Sequence, residues 1–251
     1  MLLLDDGPRD METILETLKT KRSALLPQIK LMEEKHLLIK DDGVCELTTI
    51  GELLMSKTLP LLSMVNFFDK DMEYWGSHNI DFIPTELLKR VDEIGDYAII
   101  EPELPEIFEM NRVFDEGLRR TKKSRIVTSI IYPDSMEVLH ELSRTDIDME
   151  FVTTQKILNK FRTESYEKLC ETMESGQIKF FIYNGKIRFP AFAQNDDGLF
   201  LFMSKKDGTF ENRLLLSRTP GALEWGREFF EYYKEDVTQV FGMQHLEKLL
   251  A

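Results

Sequence analysis

Residues 23–49, SALLPQIKLMEEKHLLIKDDGVCELTT, constrain this chain more than any other stretch, because they spell one helix, a tight exit and a short hairpin in direct succession. Ser23 is placed to open the helix by accepting a bond from an orphan backbone N–H, and Leu25, Leu26, Ile29 and Met32 recur at helical spacing. Pro27 falls near the first turn, where its missing N–H costs least. Gln28, Lys30 and Lys35 are left to face outward. His36 is expected to end the helix in the left-handed region, which few non-glycine residues enter. Leu37–Lys40 and Val44–Thr48 then read as two strands around Asp41-Asp42-Gly43, since Asp-Gly is a strong hairpin signal.

Upstream, METILETLK from Met11 to Lys19 offers Ile14, Leu15 and Leu18 as an apolar face, and Thr20-Lys21-Arg22 makes a short turn. The spacing is that of a helix-turn-helix with a wing, a DNA-binding arrangement. In it Gln28 is expected to read base edges while Lys21, Arg22 and Lys40 hold phosphates, with Ser23 and Lys30 beside them. A helix pair and hairpin used only for protein contacts is the alternative. Only Met1-Leu-Leu-Leu precedes the Asp5-Asp6-Gly7-Pro8 turn, so the helix that normally leads such a pair is expected to shrink to its last turn.

The rest of the chain divides by periodicity. Residues 49–75 contain Ile50, Leu53, Leu54, Leu61, Leu62, Val65 and Phe68 at helical spacing, with a kink or restart expected at Pro60. Such a helix suits dimerisation, or packing on its own neighbouring domain. Residues 82–125 read as mainly helical, with Phe82–Ile94 and Leu104–Lys123 as the best segments. RIVTSIIYP (Arg125–Pro133) is then a strand, DSMEVLHELSR a helix capped by Asp134, and DMEFVTT a second strand, which together form a β-α-β unit and imply a parallel sheet. A helix over Gln155–Ser175 is followed by QIKFFIY, KIRFPAFA, GLFLFMS and RLLLS, read as a meander closing that sheet. Ala222–Lys234 is a final amphipathic helix, and Gly242–Ala251 is a tail that either adds a short helix or stays loose. The expected organisation is a winged helix over 1–58, a linker or dimerisation helix over 59–80, an α/β sensor domain over 81–241 and a tail over 242–251.

DDGPRDMETIL, ALLPQIKLMEE, ELTTIGELL, the EYWGSHNIDFIPTELLKR block (Glu73–Arg90) and ALEWGREFFEYYK (Ala222–Lys234) occur in this order along nearly the whole chain. With them the chain resembles archaeal transcriptional regulators that join an N-terminal ArsR-like winged helix to the methanogenesis regulatory protein middle domain. The resemblance implies an α/β fold, α+β overall, with a winged helix-turn-helix followed by a sensor domain like phospholipase D. It also implies a double-stranded DNA operator as partner.

That fold makes an enzyme reading worth testing. Phospholipase D chemistry needs a His with a Lys two residues later, so that imidazole and ammonium converge on a phosphate. His36, His78, His140 and His245 are followed at that position by Leu38, Ile80, Leu142 and Glu247, so no catalysis is expected. Two distant cysteines, Cys45 and Cys170, and four scattered histidines give no metal or disulfide framework, and no cofactor is expected. A small-molecule effector would sit at the C-terminal ends of the parallel strands, which nominates Thr128, Ser129 and Tyr132 after one strand and Thr153 and Thr154 after the next. Those five residues serve equally well as ordinary polar strand ends and helix caps.

Charge sets a limit. The chain carries a net charge of −13, and residues 1–58 hold eight Lys and Arg against eleven Asp and Glu, so phosphate affinity must come from local arrangement and from doubling in a homodimer. The run RRTKKSR (Arg119–Arg125) is either the favoured cationic end of a helix or an accessory anion contact. No stretch approaches the ~18 apolar residues of a membrane span, and no leader opens the chain, which points to the cytoplasm. The other reading of the whole is an interaction module derived from such regulators, without DNA binding.

Overall fold

The computed structural model describes residues 1–101 and 117–250. Its contacts divide into two units, Met1–Asp69 and Lys70–Ala251.

In the first unit, Leu2–Leu4 is a single 3-10 turn with Leu4 buried. Strand β1 (Arg9–Asp10) leads into helix α1 (Met11–Leu18), where the Asp10 carboxylate accepts from the N–H groups of Glu12 and Thr13 at 2.9 Å each. Helix α2 (Arg22–Glu34) starts one residue earlier than Ser23 would set it: Lys21 occupies the cap position, no side chain caps it, and Ser23 lies inside the first turn. Leu25 and Ile29 are buried, whereas Leu18 and Leu26 are exposed, because α1 and α2 are short and each turns only a narrow stripe inward. At the exit of α2 His36 takes φ +58°, the Leu37 N–H reaches the Met32 carbonyl and the His36 N–H reaches that of Glu33, both at 2.9 Å. This is a Schellman motif built without glycine.

Strands β2 (Leu38–Asp41) and β3 (Val44–Leu47) pair antiparallel around Asp42 and Gly43, both at positive φ, and β1 adds to the far side of β3 to make a third strand that sequence reading does not foresee. Thr48 joins this hairpin to helix α3 (Thr49–Asp69). Its hydroxyl donates to the His36 carbonyl at 2.6 Å and accepts from the Gly51 N–H at 3.1 Å. Helix α3 runs through Pro60 without restarting; Pro60 is exposed, so solvent can meet the carbonyl left unpaired one turn back. Leu4, Met11, Ile14, Leu25, Ile29, Leu38, Cys45, Leu47 and Met55 form the core, with Cys45 fully buried. Each such side chain contributes about 1.5–3 kcal/mol where burial is complete.

The second unit is built on an eight-stranded sheet. Between α4 (Met72–Ser77) and the sheet, the expected helix over Phe82–Ile94 is only α5 (Thr85–Leu88) and a 3-10 turn (Val91–Ile94), since Pro84 and Gly95 bound it closely. The segment 104–123 lies mostly outside the described residues; 117–120 are helical. The strands are β4 (Ala98–Ile100), β5 (Lys123–Thr128), β6 (Asp148–Thr153), β7 (Ile178–Tyr183), β8 (Ala191–Asn195), β9 (Gly198–Ser204), β10 (Phe210–Ser217) and β11 (Val237–Val240), in the spatial order β11-β7-β6-β5-β8-β9-β10-β4. The edge strands β4 and β11 are not apparent in the sequence reading, being three and four residues long.

Strands β5, β6 and β7 are parallel, while β8, β9 and β10 form an antiparallel meander on the other side of β5. QIKFFIY is therefore the last parallel strand and not the first of the meander. Helix α6 (Ser135–Leu142) connects β5 to β6, and Asp134 holds its cap position without a side-chain bond; Ser135 instead accepts from the Tyr132 N–H at 2.8 Å. The helix expected over Gln155–Ser175 is two, α7 (Gln155–Glu164) and α8 (Tyr166–Ser175), broken where Ser165 takes φ −148° and ψ 47°. Helix α9 (Pro220–Lys234), capped by Thr219, buries Trp225, Phe229, Phe230 and Tyr233, while α10 (Met243–Leu250) buries Leu246 in the cluster that includes Leu139 of α6, Leu158 of α7 and Leu169 of α8.

Gly51 is the most closely approached glycine of the first unit, because a Cβ there would stand 2.0 Å from the Leu37 carbonyl oxygen. Gly51→Ala is expected to destabilise the protein by about 1–3 kcal/mol, the usual range for overpacking, as read by denaturant unfolding.

Candidate nucleic-acid interface and ligand cavity

In the first unit all six residues nominated for DNA contact are exposed: Lys21, Arg22, Ser23, Gln28, Lys30 and Lys40. They do not share one face. Ser23 and Lys30, seven residues apart on α2, lie within about 20° of each other around the helix axis, whereas Gln28 lies about 160° from Lys30. Gln28 instead edges an apolar groove of about 610 Å³ lined by Leu2, Leu18, Leu25, Ile29 and Leu54 among others. The groove opens beside the Leu2–Leu4 turn.

The two helix starts differ electrostatically. That of α1 is neutralised by Asp10, whose carboxyl is held below the usual carboxylate range chiefly by the Thr13 hydroxyl. That of α2 has no side-chain cap, no acidic residue in its first turn, and Lys21 and Arg22 beside it. A helix N-terminus in this state attracts an anion. Lys40 stands on the hairpin, in β2.

Helix α3 leaves Ile50, Leu53, Leu54, Leu61 and Val65 between 49 and 64% exposed, a long apolar stripe within the first unit.

In the second unit the nominated effector residues separate. The Thr128 hydroxyl donates to the carbonyls of Ile130 (2.6 Å) and Pro190 (3.2 Å), and Ser129 donates to Phe189 at 2.6 Å. Thr153 is fully buried and donates to the Thr128 carbonyl at 2.9 Å, while Thr154 caps α7. Only Thr128 and Tyr132 line a cavity, which measures about 90 Å³. It sits at the C-terminal end of β5, under the Ile130–Ser135 turn, and its other walls are apolar residues of β5, β6, β8, β9 and α6 together with Leu118. Sequence reasoning found the strand end but missed the walls, since Ala191, Ala193, Phe200 and Phe202 come from a meander whose position beside β5 is not written locally.

Of the cationic run Arg119–Arg125, Arg119, Arg120, Lys122 and Lys123 are exposed and Arg125 is partly buried. Arg119 pairs with Glu141 and Arg125 bonds Gln194 at 3.0 Å. Asp196 accepts from the Thr121 hydroxyl at 2.7 Å and from the N–H groups of Lys122 and Lys123 at 2.9 and 3.2 Å. Partial burial pushes the Asp196 carboxyl up, but these bonds together hold it below the usual range.

Among the described residues no group of three His, Cys, Asp or Glu is placed to hold a metal, and no helix is long and apolar enough to cross a membrane. His78 is fully buried, its Nδ1 against the Tyr74 carbonyl (2.7 Å) and its Nε2 3.2 Å from Glu211; His140 Nε2 is 2.8 Å from Glu171.

Residues 107–236 match the family model described as the middle domain of the methanogenesis regulatory protein FilR1. The chain belongs to this family. The FilR1 middle domain accounts for the larger part of the second unit, from the approach to β5 through α9. A curated relative, the methanogenesis regulatory protein FilR1 of Methanothrix harundinacea (strain 6Ac), is 22% identical over 259 residues, which cover 96% of this chain and 57% of that protein. The chain thus spans less than two thirds of the length of the FilR1 relative it matches. Among solved structures, the archaeal chromatin protein TrmBL2 has a TM-score of 0.45 at 10% identity over 95% of this chain and 91% of its own. The phospholipase D family member Nuc of Salmonella typhimurium has a TM-score of 0.41 at 14% identity over 58% of this chain and 99% of its own.

Proposed function

We propose that this chain is a DNA-binding transcriptional regulator, with Met1–Asp69 as a winged helix-turn-helix and Lys70–Ala251 as an α/β sensor that changes operator affinity when an effector binds. The observation that supports it most is the uncapped, acid-free start of α2, flanked by exposed Lys21 and Arg22 and followed by a hairpin bearing exposed Lys40. Helix dipole, cations and wing then act on one phosphate backbone. The relation to a methanogenesis regulatory protein agrees with this reading.

On this reading Lys21, Arg22, Ser23, Lys30 and Lys40 form the phosphate contact. Gln28 contributes a base contact only if the duplex reaches the side of α2 that faces the groove. The protein acts as a homodimer joined along α3, because two copies of the Ile50–Leu54–Leu61–Val65 stripe would cover each other and double a modest basic footprint. The reading is non-catalytic: His78 and His140 are already engaged by carboxylates, and neither has a Lys two residues on. It belongs to a cytoplasmic setting.

A second reading, an interaction module, is favoured by one observation, the open apolar groove beside Leu2, Leu18 and Leu54. Fluorescence anisotropy on a duplex from the gene's own upstream region separates the two. Arg22→Glu with Lys30→Glu is expected to weaken binding at least about tenfold, as the loss of two phosphate contacts does at moderate salt; unchanged affinity refutes the interface. Leu61→Glu is expected to convert the dimer to a monomer in sedimentation velocity, and a wild-type monomer would refute the α3 interface.

A further inference from the structure

The cavity beneath the Ile130–Ser135 turn has chemistry of its own. Its walls are supplied by Ile126, Leu139, Phe151, Ala193, Phe200 and Phe202, all buried residues of the second unit's core. The polar groups on its lining are few, and two have their bonds made elsewhere: the Thr128 hydroxyl donates to backbone carbonyls and the Ser135 hydroxyl accepts from the Tyr132 N–H. Among the described residues no Lys, Arg or His lines it, and the one charged residue among them, Asp134, is exposed at the turn.

An anion placed there would lose its hydration with no cation among the described lining residues to replace it, which is prohibitive in an apolar site. Water fares little better, since a buried water needs two to four polar partners. Engineered apolar cavities of about 150 Å³ stay dry and take up benzene or xenon. A space of about 90 Å³ with these walls, opening beside half-exposed Ile130, Ile131 and Val138, is of that kind.

We propose that this cavity binds a compact, uncharged apolar molecule, aromatic or short-chain aliphatic, and not a phosphate-bearing one. The proposal deepens the sensor reading above and rests on it for its regulatory meaning. Occupancy would brace the Ile130–Ser135 turn against α6, since Ile130, Ile131, Tyr132 and Val138 all border the space.

Benzene is the probe, and the thermal midpoint of the full chain is the readout. Benzene at millimolar concentration is expected to raise the wild-type midpoint by a few degrees, as ligands selective for the folded state do, while inorganic phosphate leaves it unchanged. Ala193→Leu, which fills the space from β8, is expected to remove the benzene response; Ala191→Ile on the same strand serves if Ala193→Leu does not fold. No benzene response in the wild type, an undiminished response in the folded filled variant, or stabilisation by phosphate would each overturn the proposal. Anisotropy on the upstream duplex is run in parallel. Operator binding without a benzene effect rejects the cavity's role and leaves the regulator standing, whereas benzene binding without operator affinity rejects the regulator and leaves the cavity.

Discussion

Strand β5 is the hinge of the second unit's architecture, because it pairs parallel with β6 on one side and antiparallel with β8 on the other. A strand with two kinds of neighbour has to be held in register at both ends, and here it is. At its start Asp196, just beyond β8, gathers the Thr121 hydroxyl and two backbone N–H groups. At its finish Thr128 and Ser129 donate to the carbonyls of Phe189 and Pro190, just before β8. These clamps release the chain from the sheet after Thr128, so Ile130–Ser135 arches away and leaves a space that apolar side chains border without filling. The cavity is thus a consequence of how β5 is anchored.

The first unit depends on a smaller constraint of the same sort. Thr48 bonds the carbonyl of His36 and the N–H of Gly51, so one hydroxyl fixes the exit of α2, the end of the hairpin and the start of α3. Only glycine allows α3 to approach the Leu37 carbonyl this closely. The exit of α2 is thereby tied to the hairpin and to α3, while its start is uncapped and carries Lys21 and Arg22 in an otherwise acidic unit. Local arrangement, and not net charge, makes DNA binding physically reasonable.

Much of this was legible in the residues. The alternation of apolar positions fixed α1 and α2, Asp42-Gly43 marked the hairpin, and the β-branched runs at 125–128 and 148–153 marked two parallel strands. What was not legible depended on distance along the chain. Ser23 looks like a cap locally, yet the turn after α1 lets the helix begin at Arg22. Ser165 breaks a pattern that is periodic on both sides of it. Edge strands β4 and β11 are too short to announce themselves, and they exist because β10 and β7 offer them open ladders. The hydroxyls of Thr128, Ser129 and Thr153 bond neighbouring backbone carbonyls, while part of the cavity wall comes from strands about 60 to 75 residues downstream of β5.

On the proposed reading, this acidic chain binds its operator through a small basic footprint that a homodimer doubles. The most direct measurement is the salt dependence of affinity for the upstream duplex against a scrambled duplex of equal length, with complex mass determined in parallel. Operator recognition by such a dimer predicts tighter binding to the upstream duplex, two copies per site, and a loss of at least about tenfold in affinity between ~50 and ~200 mM salt. Equal affinity for both duplexes, or binding insensitive to salt, would contradict it.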